Sequence, residues 1–256
     1  MTDANRGRAR IGVLVPFTNT NLEPDLGLLC PKGVSLHWAR LGGYDVDEIP
    51  DEEQMAGLGA TDLDEPLRLV LGVRPDVVLY GCTSATLTHG PAFDRGLAER
   101  IATAADAPTV TAAGALVHAL KTLGVSRIGF ASPYVGAIND MAVAFLEAEG
   151  IETAACADIG RVLDNYGQGE LSPAEVHRLA LRADGPDVQA IVLSCTDMRS
   201  VEAIAGLEAE LGKPIVCSNQ AMMFQAMEVL RLPYWDGLER YGRLFAAADA
   251  RQPASH

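Results

Sequence analysis

The chain has 256 residues, 48% of them apolar, enough to bury a full core in one large domain or two small ones. Its formal charge of −14 leaves no basic face for nucleic acid or an anionic membrane, so neither is an expected partner. Five cysteines fit reduced thiols rather than a disulfide framework, and a polar N-terminus followed by an apolar run broken at Pro16 shows no signal peptide or membrane span, so a cytoplasmic location is expected.

In chain order, Arg10 to Phe17 reads as a first strand, followed by the polar turn Thr18-Asn19-Thr20-Asn21 and a helix opening at Leu22. Residues 34–40 form a second strand. The acidic segment Tyr44 to Glu53 and the glycine-rich run after it are expected to form a mobile loop over a pocket. Asp76 to Ser84 is a short branched apolar strand that runs into Cys82, and helices are expected over 92–105 and 112–123, on either side of a strand at 107–111.

The pattern then starts again. Arg127-Ile128-Gly129 repeats Arg10-Ile11-Gly12, and each run leads to a proline and an aromatic residue. A helix from Ile138 to Gly150, a strand near 151–155 and a glycine-containing loop at 164–169 follow. Ser172-Pro173-Ala174-Glu175 is a capping box that starts a helix, and Val188 to Asp197 repeats the apolar strand ending in a cysteine, here Cys195. Lys213 to Ser218 and the helix 219–230 repeat the third strand and its helix. Strands alternating with helices give parallel βαβ units. The expected fold is α/β: two pseudo-symmetric three-layer domains, each with a central, mainly parallel sheet, and an active site between them. The expected division is 1–119 plus 220–256 for the first domain and 120–219 for the second.

Cys82-Thr83-Ser84 and Cys195-Thr196-Asp197 both fall at the carboxyl ends of core strands, the edge where open α/β sheets bind ligands. A lone cysteine there is more often core filler. Two Cys-Thr pairs at equivalent points of two similar halves are hard to obtain from packing, and point to a two-thiol pocket. Cys30, Cys156 and Cys217 are read as packing. The histidines show no triad-like pattern, no metal-ligand spacing occurs, and the three lysines, Lys32, Lys121 and Lys213, do not suit pyridoxal phosphate; no metal and no cofactor is expected.

Laid out this way, the chain resembles the aspartate/glutamate racemase superfamily, in its maleate cis-trans isomerase and arylmalonate decarboxylase branch, over nearly its whole length. The residues that carry the resemblance are Val15-Pro16-Phe17-Thr18-Asn19-Thr20-Asn21-Leu22-Glu23-Pro24-Asp25, Gly81 to Thr86, Ser132-Pro133-Tyr134, Asn165 and Ser194 to Arg199. Racemases of the superfamily usually have Cys-Thr-His at the second thiol, where this chain has Cys195-Thr196-Asp197. Arylmalonate decarboxylases keep a glycine in place of the first thiol, where this chain has Cys82.

The resemblance implies a cofactor-independent isomerase acting on a small dicarboxylate, maleate to fumarate, with Cys82 and Cys195 catalytic. Asn19, Thr83, Ser84, Tyr134, Asn165 and Thr196 are then the expected substrate-binding residues. A racemase, epimerase or decarboxylase of a small carboxylic acid using the same thiols, and a non-catalytic carboxylate-binding protein, are the alternatives. The partner is a small-molecule carboxylate, and a homo-oligomer is left open. Backbone N–H dipoles around Gly81 and the helix after Ser84 are expected to lower the Cys82 pKa, while the carboxylate of Asp197 raises that of Cys195.

Overall fold

The computed structural model describes residues 7–42, 63–164, 166–235 and 237–249. The segment Tyr44 to Glu53 and Asn165 lie outside the described residues. Strands β1 (Ala9–Pro16), β2 (Val34–Leu41), β3 (Val77–Tyr80) and β4 (Thr109–Thr111) form one sheet, in the order β2-β1-β3-β4. Strands β5 (Arg127–Ala131), β6 (Glu152–Ala157), β7 (Ala190–Leu193) and β8 (Ile215–Cys217) form a second, in the order β6-β5-β7-β8. The two orders are the same topology, and every described pairing is parallel. The repeat read from the sequence is thus a repeat of structure.

Strands β3 and β7, each with a neighbour on both sides, are buried along their whole length, which is why they read as unbroken apolar runs, Val-Val-Leu-Tyr and Ala-Ile-Val-Leu, rather than as an alternation. Edge strand β6 does alternate, and Cys156 falls on its outer face. The expectation that Cys156 is packing is therefore corrected: its thiol is exposed. Cys217 is buried and its sulfur accepts the Gln220 N–H at 3.4 Å, capping the helix that follows, and Cys30 is half-buried.

The helices are α1 (Leu22–Leu29), α2 (Asp64–Leu71), α3 (Thr83–Leu87), α4 (Gly90–Ala105), α5 (Ala112–Leu123), α6 (Ala137–Ala148), α7 (Gly167–Glu170), α8 (Pro173–Arg182), α9 (Ile204–Leu211), α10 (Ser218–Val229) and α11 (Arg243–Asp249). The capping box at Ser172 and Glu175 opens α8 as its sequence requires. α10 follows the last strand of the second sheet yet packs on α5 and α1, which belong with the first. It is consequently buried on nearly all sides, and it carries Met222, Met223 and Phe224 into the core. No helix of the described residues is long and apolar enough to cross a membrane.

The paired glycines explain the repeated Arg-Ile-Gly. A Cβ on Gly129 would lie 1.9 Å from the Ala183 carbonyl oxygen, and one on Gly12 would lie 3.1 Å from Val70 Cγ2. In both halves a helix or loop approaches the sheet at that point too closely for a side chain.

Candidate active site

Four turns leave the carboxyl ends of β1, β3, β5 and β7, and hydrogen bonds join them to one another. Gly81 ends the β3 run, and a Cβ there would lie 2.4 Å from Leu22 Cδ2 and 3.1 Å from the Leu14 carbonyl oxygen. Cys82 then takes extended backbone and stands at the N-cap of α3. Cys195 stands at the matching turn after β7. Both thiols are nearly inaccessible, at 3% and 2% exposure.

The turns are stitched across the two halves. Thr196 donates its hydroxyl to the Gly81 carbonyl at 2.9 Å and accepts the Asn19 side-chain amide at 3.1 Å. Asn19 Oδ1 accepts the N–H groups of Asn21 and Leu22 at 3.1 and 2.9 Å, shaping the turn into α1. Thr83 donates to the Ser218 hydroxyl at 3.0 Å, at the start of α10. The sequence-predicted residues Asn19, Thr83 and Thr196 are therefore brought to the site, and each also holds the site's frame.

Tyr134 is set by its own turn: Ser132 Oγ accepts its N–H at 3.1 Å, and the Asn139 side chain donates to its carbonyl at 2.8 Å. Its phenolic oxygen lies 3.2 Å from Cys195 Sγ. Ser84 Oγ lies 3.7 Å from Cys82 Sγ, and the Ser84 hydroxyl acts to lower the pKa of the Tyr134 phenol. Each thiol thus has a hydroxyl at its side, Ser84 beside Cys82 and the Tyr134 phenol beside Cys195. Beyond Tyr134 lies a cavity of about 40 Å³ bounded by Pro133, Val135, Ile138, Leu163 and Gln168.

Burial dominates the electrostatics. It pushes the Cys82 thiol up, against the Ala85 N–H and the Ser84 hydroxyl, which favour the thiolate. The Cys195 thiol is pushed up to about 12, first by burial and then by the Asp197 carboxylate, against the Tyr134 hydroxyl and the Asp197 N–H. The expected direction holds for Cys195 and is corrected for Cys82: the N–H dipoles act as foreseen, but loss of water outweighs them. Tyr134 is also held well above its ordinary value, by burial and by the charge that either thiolate would carry.

Behind the Cys195 turn stands a pair that the sequence reading missed. Asn219 Nδ2 donates to the Thr196 carbonyl at 3.0 Å and to Asp25 Oδ2 at 2.8 Å. Burial raises the Asp25 carboxyl to about 7. Nothing local in the sequence signals this contact, because its partners are joined only by the fold.

A family model described as arylmalonate decarboxylase matches residues 67–245. The chain is 29% identical to the maleate isomerase of Pseudomonas putida over 236 residues, covering 87% of this chain and 92% of that protein. It is 30% identical to the arylmalonate decarboxylase of Bordetella bronchiseptica over 238 residues, covering 91% of each. Among solved structures, a Nocardia farcinica maleate cis-trans isomerase variant with a covalently bound succinylcysteine intermediate aligns at a TM-score of 0.83 and 27% identity, covering 92% of this chain and 97% of that one.

Proposed function

The chain belongs to the arylmalonate decarboxylase family, and from that premise we propose that it is a cofactor-independent isomerase converting maleate to fumarate. The observation that carries the reading is the pair of buried thiols, Cys82 and Cys195, at equivalent turns of the two halves. Maleate is locked by its C=C bond, so isomerisation requires that bond to become single. Cys82 supplies the nucleophile: its thiolate adds to C2, and the electron pair of the double bond passes into C3 and its carboxylate. Cys195 donates a proton to C3, giving a succinyl thioether.

Rotation about the C2–C3 single bond follows. The Cys195 thiolate takes a proton back from C3, the C=C bond re-forms, and the Cys82 sulfur leaves with its electron pair, releasing fumarate. Asn19, Thr83, Ser84, Tyr134, Asn165 and Thr196 are the groups proposed to bind the carboxylates and the charge that builds on addition. The division of labour follows from the surroundings. Cys195 has a neighbouring carboxylate that favours the protonated acid, while Cys82 has only donors beside it. A racemase working in both directions would be served better by matched thiols.

Proton NMR of maleate with the protein in deuterated water tests the reading. Appearance of fumarate supports it. Exchange at a Cα–H of an amino acid, or loss of carbon dioxide from a malonate, with no fumarate formed, would replace it with racemisation or decarboxylation.

A further inference from the structure

The acid at position 197 does more than repel a thiolate. Its Oδ1 accepts the N–H groups of Thr20 and Asn21 at 2.7 and 3.0 Å and the Asn21 side-chain amide at 3.1 Å, all from the turn after β1 in the other half. The same Asn21 amide donates to the Asp197 carbonyl at 2.9 Å and to the Gly169 carbonyl at 3.1 Å. A Cβ on Gly169 would meet Thr20 Oγ1, Asp197 Oδ2 and Asn21 Nδ2 at 2.8, 3.0 and 3.1 Å, so the segment carrying α7 is pressed onto this junction. Three segments from two halves therefore meet on one carboxylate. Resting on the isomerase reading above, we propose that Asp197 is a positioning residue that latches the two halves together at the site and selects Cys195 as the thiol that holds the proton.

Several N–H donors converge on one oxygen and favour the carboxylate, but burial outweighs them and raises the Asp197 carboxyl above its ordinary value. Those donors also commit Asp197 to the protein, which leaves it poorly placed to receive a substrate ammonium. The latch reaches the chemistry in both directions along the chain. Asn19, two residues before Asn21, bonds Thr196, and the Asp197 N–H points at Cys195 Sγ at 3.4 Å. The titratable groups facing Cys195 are Tyr134, Cys82 and Asp197, and of the two whose charge raises the Cys195 thiol, Asp197 has the larger effect.

The test compares Asp197→Asn, Asp197→Ala and Gly169→Ala, reading kcat and KM for maleate and, separately, peptide-resolved iodoacetamide labelling of Cys195 against pH. Asp197→Asn keeps an acceptor oxygen for Thr20 and Asn21 but removes the charge. With the charge gone the Cys195 pKa falls, so Cys195 should label roughly tenfold faster at pH 8, and kcat should fall while KM stays within about threefold. Asp197→Ala loses the latch as well, so KM should rise in addition. Gly169→Ala crowds the latch without altering charge, and should raise KM with the labelling profile unmoved. Wild-type labelling together with wild-type kinetics in Asp197→Asn would overturn the proposal. Labelling needs no turnover, so it still reads the role of Asp197 if maleate proves not to be the substrate. Should Asp197→Ala fail to fold, Asp197→Asn carries the test.

Discussion

Thr196 donates its hydroxyl to the carbonyl of Gly81 at 2.9 Å, so the residue after one thiol is bonded to the residue before the other. That bond, with Asn19 donating to the same hydroxyl, ties the two thiol turns together through short, buried side chains. Both thiol turns are thereby held in one geometry before any ligand arrives, the condition under which proximity contributes to rate.

Cys82→Ala and Cys195→Ala should each lower maleate turnover by roughly a thousandfold or more. Because both sulfurs are buried, each change should also cost about 1 kcal/mol, a fall of about 2–4 °C in Tm. Intact mass after quenching Cys195→Ala with maleate should show a succinyl adduct on Cys82. An adduct on Cys195 in the Cys82→Ala protein, with none on Cys82 here, would exchange the two roles.

Tyr134→Phe keeps the ring and removes the hydroxyl that lies 3.2 Å from Cys195 Sγ. The expected result is a loss of roughly a hundredfold in kcat with little change in Tm, measured by steady-state kinetics and thermal melting. An unaltered kcat would remove Tyr134 from the chemistry and leave it a packing residue.

Asp25 makes stability depend on pH. Its folded pKa of about 7 lies above the ordinary value of 3.8, so between those limits the folded state holds a proton that the unfolded chain has released, and stability falls as pH rises through this window. Asp94, raised to about 6 by burial, acts with the same sign. Asp25→Asn removes the first contribution while keeping an acceptor for Asn219. Its Tm should gain on wild type from pH 4 to 7, with the gap constant above that. A gap that does not change with pH would show that Asp25 does not titrate as described.

Gly129→Ala and Gly12→Ala are equivalent changes in the two halves with unequal consequences. The first drives a methyl against a backbone carbonyl and should cost about 3 kcal/mol or more, whereas the second meets side chains that can yield and should cost less. Denaturant titration of the two variants gives the comparison directly.

The sheets were legible because each central strand is short, branched and buried, and because the second half restates the first. The two thiols were legible for the same reason: duplication separated Cys82 and Cys195 from the three other cysteines. What escaped was whatever depends on contact between distant segments. Asp25 and Asn219, 194 positions apart, give no local signal. The bond from Thr83 to Ser218, 135 positions on, gives none either. Cys156 escaped because position within a sheet decides exposure on β6, and strand order cannot be read from composition. The direction of the Cys82 shift depended on how completely water is excluded, which only packing determines.

α10 sits on α5 and α1 although the chain reaches it last among the sheet helices. A polypeptide cut after Leu123 would therefore separate β1 to β4 from the helix that covers them, and would leave the other fragment with Met222, Met223 and Phe224 open to water. The halves are alike in outline without being interchangeable modules. Such fragments should be aggregation-prone apart and regain a folded, thiol-protected state only when mixed, so that the duplication survives as symmetry of architecture while folding has become a joint undertaking.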